Sequence, residues 1–212
     1  MSAPRIALIG DSQAEALWPR VQKLMPEADF VLSRFQRGWS EWSYKNDGTL
    51  SAQLAAAHPD LVVIELGGNN SFLTDAKYRP NIDWMLSAAR ASGAKKILWL
   101  GPAAATKEPF KGNKEWTRSY QSQYLPQKDV TWFDNFPYTL AGHVDGVHFG
   151  GSVYNAWAPV LVAQIRKAAS EAAAGGSLTG VSASQKTAIL AGLGVLGGGI
   201  LIAFVFKRRA AA

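Results

Sequence analysis

Three short stretches of the chain carry side chains able to do covalent chemistry. Gly10-Asp11-Ser12-Gln13 closes the apolar run Ile6-Ala7-Leu8-Ile9. A serine at a strand-to-helix turn has its hydroxyl at the carboxyl edge of a sheet. Its backbone N–H points with the helix N-terminus, where negative charge is stabilised. That geometry suits a nucleophile whose attack creates an oxyanion, although Asp-Ser at this place serves equally as a helix cap. Gly67-Gly68-Asn69-Asn70 offers a tight turn and neutral amide donors, and is also a common turn. Asp145-Gly146-Val147-His148 places a carboxylate three residues before a histidine. Histidine is suited to general-base work near neutrality, and the carboxylate can curl back to Nδ1 to fix tautomer and orientation. By itself Asp-x-x-His is most often a surface turn. The chain has no Cys, which excludes a thiol nucleophile, a disulfide scaffold and Cys-ligated zinc.

The elements that must position these groups follow from apolar patterning. Arg5–Ile9, Phe30–Phe35, Leu61–Leu66, Lys96–Leu100 and Val130–Phe133 are short apolar runs rich in β-branched and aromatic residues. Such runs suit strands buried on both faces of a parallel sheet. Between them, Ala14–Met25, Leu50–Ala57, Ile82–Ala91, Lys114–Tyr124 and Val153–Ala173 have helical length and composition, with Pro19 marking a kink or a late start in the first. Five strands alternating with five helices predict an α/β fold, a three-layer α/β/α sandwich around a mostly parallel five-stranded sheet. In such folds ligands sit at the carboxyl ends of the strands, where all three stretches fall.

The chain has 212 residues, and its 48% hydrophobic content is unevenly spread. Thr187 to Phe206 carries no charge and is followed at once by Lys207, Arg208 and Arg209. Twenty helical residues span roughly 30 Å, the thickness of a bilayer's hydrocarbon core. A C-terminal transmembrane helix over 187–206 is therefore expected, with a basic tail at 207–212 and the lipid bilayer as a partner. Gly194 and Gly198 have the spacing that permits close helix–helix approach and self-association. The Ala/Gly/Ser-rich residues 173–186 read as a flexible linker, leaving residues 1–172 as the folded domain. The short apolar run after Met1 is not a signal peptide. The net charge of +6 loses three units to Lys207, Arg208 and Arg209, leaving no case for a nucleic-acid partner. The basic flank favours a cytoplasmic C-terminus. A domain without an N-terminal signal favours a cytosolic body, so the side of the membrane stays open, a virus-particle membrane included.

Taken in order, Ser12, Gly38, Asn69 and Asp145-x-x-His148 resemble the blocks of the SGNH hydrolases, the GDSL-like esterase/lipase family. The resemblance covers nearly all of residues 5–170 in order and spacing. Two positions depart from it: Gln13 stands where Leu is frequent, and Asn70 where Asp is usual. The resemblance implies a flavodoxin-like fold and acyl transfer to water without a metal or cofactor. Ser12 is the expected nucleophile, His148 the base and Asp145 its orienting carboxylate. The expected oxyanion hole consists of the Ser12 and Gly38 backbone N–H groups and the Asn69 side chain. His58 is expected to be structural and His143 to lie near the site. Trp39, Trp42 and Tyr44 follow Gly38 closely; they can stack on sugar rings, cover an acyl chain, or simply pack. Trp39, Trp42 and Asn70 are the candidate substrate-binding residues. The expected activity is that of a membrane-anchored serine esterase removing an O-acyl, in first place O-acetyl, group from a glycan such as peptidoglycan. Lipid or thioester hydrolysis, or a tethered binding module without catalysis, are the alternatives.

Overall fold

A computed structural model describes residues 2–175. The expected linker from residue 176, the transmembrane helix at 187–206, the basic tail and the Gly194/Gly198 pair lie outside the described residues. Among those described, no helix is long and apolar enough to cross a membrane.

Five strands, β1 (Arg5–Gly10), β2 (Asp29–Phe35), β3 (Leu61–Glu65), β4 (Lys96–Leu100) and β5 (Thr131–Phe133), form one sheet in the order β2-β1-β3-β4-β5. Every pairing is parallel. The apolar runs are continuous because both faces of the central strands are covered. Ile6, Leu8, Leu61, Val63, Leu98 and Leu100 point to one core, packed by α1 (Ser12–Leu24) and α6 (Gly151–Ala174). Ala7, Ile9, Val62, Ile64, Ile97 and Trp99 point to the other. That face is covered by α2 (Glu41–Asp47), α3 (Thr49–Ala57), α4 (Asp75–Ala91) and α5 (Phe110–Tyr124).

The expected strands agree with those observed to within a residue at each end, and the helices differ more. α1 begins at Ser12 rather than Ala14, because Asp11 caps it by accepting from Gln13 N at 2.9 Å. Pro19 lies on its exposed side and the helix runs through it. α2 is a sixth helix, which the aromatic patterning of its segment hides. A capping box between Ser40 and Ser43 starts it, and Gly48, at φ 71°, ends it in the left-handed region. α4 starts at Asp75, seven residues before Ile82, because its polar first turns lack an apolar stripe; the Asp75–Arg79 ion pair lies on them. α5 starts at Phe110 rather than Lys114. α6 continues through Ala173 and Ala174, so the helix reaches into the stretch read as linker.

Candidate active site

Ser12 is placed by the closeness of β1, β3 and α1. A Cβ at Gly10 would lie 2.2 Å from Ala14 Cβ and 3.0 Å from Glu65 O, so only glycine lets the strand turn so tightly into the helix. Ser12 then occupies the first helical position, half-buried at the sheet's carboxyl edge.

His148 reaches it from the loop before α6. An antiparallel bridge between His143 and Phe149 closes this loop, with Val144 N donating to His148 O at 2.9 Å and Gly150 N to Gly142 O at 3.1 Å. His148 Nε2 stands 3.0 Å from Ser12 Oγ, and Nδ1 stands 2.7 Å from Asp145 Oδ2. The carboxylate makes Nδ1 the protonated nitrogen, which leaves Nε2 to accept from the Ser12 hydroxyl. Asp145 Oδ1 accepts from the backbone N–H of His148 at 2.7 Å and of Val147 at 2.9 Å. The His148 backbone N–H, the His148 ring and the Val147 N–H hold the Asp145 carboxyl well below the usual carboxylate range.

Two further side chains lock this loop to α1. Gln13 Nε2 donates to Val147 O at 2.9 Å, and Tyr154 Oη donates to Gln13 Oε1 at 2.7 Å. Both residues are buried. Gln13 therefore ties the residue before the histidine to the residue after the serine. The sequence carried a signal for it, a buriable amide where the resemblance puts Leu, but nothing pointed to its partner.

Gly38 and Asn69 line the same cleft as Ser12, Asp145 and His148, a space of about 470 Å³ whose walls include Lys107 and Phe110. Asn69 Nδ2 donates to Asp11 Oδ2 at 2.9 Å and to Trp39 O at 3.1 Å. The second of these bonds ties the Gly38–Trp39 loop to Asn69. Lys107 and Phe110 were not singled out from sequence, because Lys107 lies in a loop and Phe110 opens α5, where no periodicity marks either.

The other expected site residues are placed elsewhere. Asn70 is only 2% exposed and its amide donates to Thr117 Oγ1 at 3.0 Å and to Phe72 O at 3.2 Å, so it shapes the turn instead of facing the cleft. Tyr44 is core: it is fully buried and its hydroxyl donates to Gly10 O at 2.7 Å. Trp39 packs edge-on against Tyr44, and the exposed Trp42 packs edge-on against Phe72; neither is among the residues lining the Ser12 cleft. His143 packs at a tilt against Phe149 with its Nε2 3.2 Å from Ala104 O, and also lies outside that lining. His58 ends α3, and its carbonyl accepts from Arg5 Nε. Among the described residues no group of three or more metal-ligating side chains converges.

No family model matches the chain, and no curated relative matches it in sequence. Solved structures do match its fold. The lipase/acylhydrolase from Enterococcus faecalis superposes with a TM-score of 0.63 at 18% identity, over 77% of this chain and 96% of its own. A catalytic mutant of Axe2, an acetylxylan esterase from Geobacillus stearothermophilus, gives 0.65 at 14% identity, over 77% and 94%. TesA gives 0.63 at 23% identity, over 77% and 98%. The described domain thus has the α/β/α fold of these lipase/acylhydrolase and acetylxylan esterase structures, over nearly their whole length.

Proposed function

We propose that this chain is a serine ester hydrolase of the SGNH type. The observation that carries the reading is the continuous relay Ser12 Oγ, His148 Nε2, His148 Nδ1, Asp145 Oδ2, with contacts of 3.0 and 2.7 Å, opening into one cleft with Gly38 and Asn69. In the forward step Ser12 Oγ bonds to the ester carbonyl carbon while its proton passes to His148 Nε2. The tetrahedral oxyanion is met by the Ser12 and Gly38 N–H groups and by Asn69. For that, one Asn69 hydrogen shifts from Trp39 O to the oxyanion, while the bond to Asp11 keeps the amide oriented. The alcohol leaves with the proton held by His148. Water, deprotonated by the same nitrogen, then releases the acid and restores the serine.

The favoured substrate is an O-acetyl ester on a glycan. Its support is a modest cleft and the likeness in fold to a protein named as an acetylxylan esterase. A longer acyl chain is the second reading, favoured by the apolar Phe110 in the cleft wall and by the likeness in fold to a lipase/acylhydrolase. Membrane anchoring through 187–206 completes the proposal and rests on the 20 uncharged residues with their basic flank.

Ser12→Ala should remove hydrolysis of an activated acetyl ester while the protein stays folded; full activity in that variant overturns the assignment. Acetate release from O-acetylated peptidoglycan, measured beside hydrolysis of esters of increasing chain length, separates the two substrate readings. Preference for the long esters contradicts the glycan.

A further inference from the structure

A buried charged cluster that the hydrolytic steps do not use lies behind the cleft. Asp11 comes from the β1–α1 turn, Glu65 from the end of β3 and Lys114 from α5, and each is only 1% exposed. Lys114 Nζ and Glu65 Oε2 have no hydrogen-bond partner among the described residues. A buried ammonium without a hydrogen bond is costly, and nearby negative charge is what offsets it.

Glu65 adjoins Asp11, and Asp11 and Lys114 meet across the bare backbone of Gly68. A Cβ there would lie 3.0 Å from Asp11 Oδ2, 3.5 Å from Lys114 Cε and 3.9 Å from Lys114 Nζ. The same Asp11 Oδ2 accepts from Asn69, and its Oδ1 accepts from Gln13 N. Asp11 therefore holds both the start of the catalytic helix and the side chain of the expected oxyanion donor. Two adjacent buried carboxyls cannot both ionise. Burial pushes Glu65 well above the ordinary range, and the Asp11 charge adds to it. Burial also raises Asp11, against the Gln13 N–H and the Lys114 charge, which lower it. Burial lowers the Lys114 ammonium, against the Asp11, Glu65 and Asp145 charges that raise it. The Asn69 and Gln13 N–H donors on Asp11 favour its ionised form, which leaves Glu65 as the carboxyl that keeps a proton.

We propose that Lys114 is a positioning residue of the oxyanion hole: its ammonium keeps one negative charge on the Asp11–Glu65 carboxyl pair, on Asp11, and so preserves the acceptor that aims the Asn69 amide. The proposal rests on the reading of the site as an ester hydrolase. Without the ammonium, the pair takes up a second proton as pH falls, and a neutral Asp11 no longer fixes Asn69. Other charges also bear on the pair or on Lys114: Glu41 from α2, and His148 and Asp145 from the loop before α6. Tyr44 from α2 and Tyr154 from α6 feel both acids but are held neutral, as burial raises their hydroxyls. Tyr78 from α4, also neutral, hydrogen-bonds Glu41. None of these supplies a second fixed positive charge inside the cluster.

The chain has no Cys, so Lys114→Cys in the full chain creates a single thiol. Alkylation of the unfolded variant with 2-bromoethylamine rebuilds an ammonium at lysine length; 1-iodopropane builds the same shape without charge. Both refolded products are measured on a p-nitrophenyl acetyl ester against pH, with active sites counted by a phosphonate. The aminoethyl product should match the parent's kcat and pH profile. The propyl product should lose roughly 10- to 100-fold in kcat with little change in KM, and lose activity at a higher pH on the acid side. Equal kcat and equal profiles for the two products overturn the proposal. A readout on the unaltered protein covers failure to refold: with Asp labelled at the carboxyl carbon, NMR should show every Asp ionised at pH 7. A protonated Asp at that pH overturns the proposal. A parent that hydrolyses no ester defeats the reading of the site instead, and leaves the NMR result to decide the charge on Asp11.

Discussion

Gln13 ties together the two segments that carry the proposed relay. Its amide donates to Val147 O and accepts from Tyr154 Oη, bridging the helix that carries Ser12 to the loop that carries His148. Gln13→Leu leaves a half-buried carbonyl and a buried hydroxyl without their partner, a cost of roughly 1–3 kcal/mol. The expected outcome is a lower melting temperature and a fall in kcat with KM nearly unchanged, read by thermal denaturation and steady-state kinetics. Unchanged kcat would show that the loop needs no such tie. The residues proposed to act in catalysis were legible as candidates in the sequence, because Ser12, Asn69 and Asp145-x-x-His148 stand at fixed places relative to apolar runs. Gln13, Glu65 and Lys114 were not legible as a set. A buried polar group betrays itself only through its partners, and those are brought together by the fold from residues far apart in the chain.

At the scale of elements, the strands were legible because burial on both faces leaves uninterrupted apolar runs. Only Glu65 breaks the run at Leu61–Leu66, and it is the residue that pairs with Asp11. The helices were harder. α2 has seven residues, and its limits are set by Ser40 and Gly48 instead of by a stripe. The β1–α1 junction is the element on which the site depends most. Gly10→Ala drives a methyl into Ala14 Cβ and against Glu65 O, so either the helix start or β3 must move. Displacement of Ser12 by even an ångström can cost on the order of 100-fold in rate. The expected result is a loss of kcat larger than any change in KM, together with lower thermal stability. A variant with parental kcat and melting temperature would show that the junction has slack.

Across the whole molecule, buried acids make stability fall where surface acids make it rise. Glu41 is fully buried, with Oε1 accepting from Tyr78 Oη at 2.5 Å and Oε2 without a partner among the described residues. Burial pushes its carboxyl from 4.5 up to about 7. Below pH 4.5 the carboxyl is protonated whether the chain is folded or not, and no penalty arises. Between 4.5 and 7 only the unfolded chain ionises, so stability declines as pH rises, by about 3 kcal/mol in total. Above 7 the penalty is constant. Glu41→Gln removes this slope, so its melting temperature relative to the parent should be higher at pH 8 than at pH 5. Parallel melting curves across that range would contradict a buried, proton-binding Glu41. The far end of the domain stands apart from the cleft: α6 closes near the strand starts, where Lys96 pairs with Glu171 at 2.8 Å.

The central claim is that Ser12 is a nucleophile made reactive by His148. Reaction with a p-nitrophenyl phosphonate, followed by peptide mass spectrometry, tests it most directly. One adduct per chain on the Ser12 peptide is predicted, with labelling slowed by His148→Ala and absent in Ser12→Ala. Labelling of another residue, or equal labelling in Ser12→Ala, would contradict it.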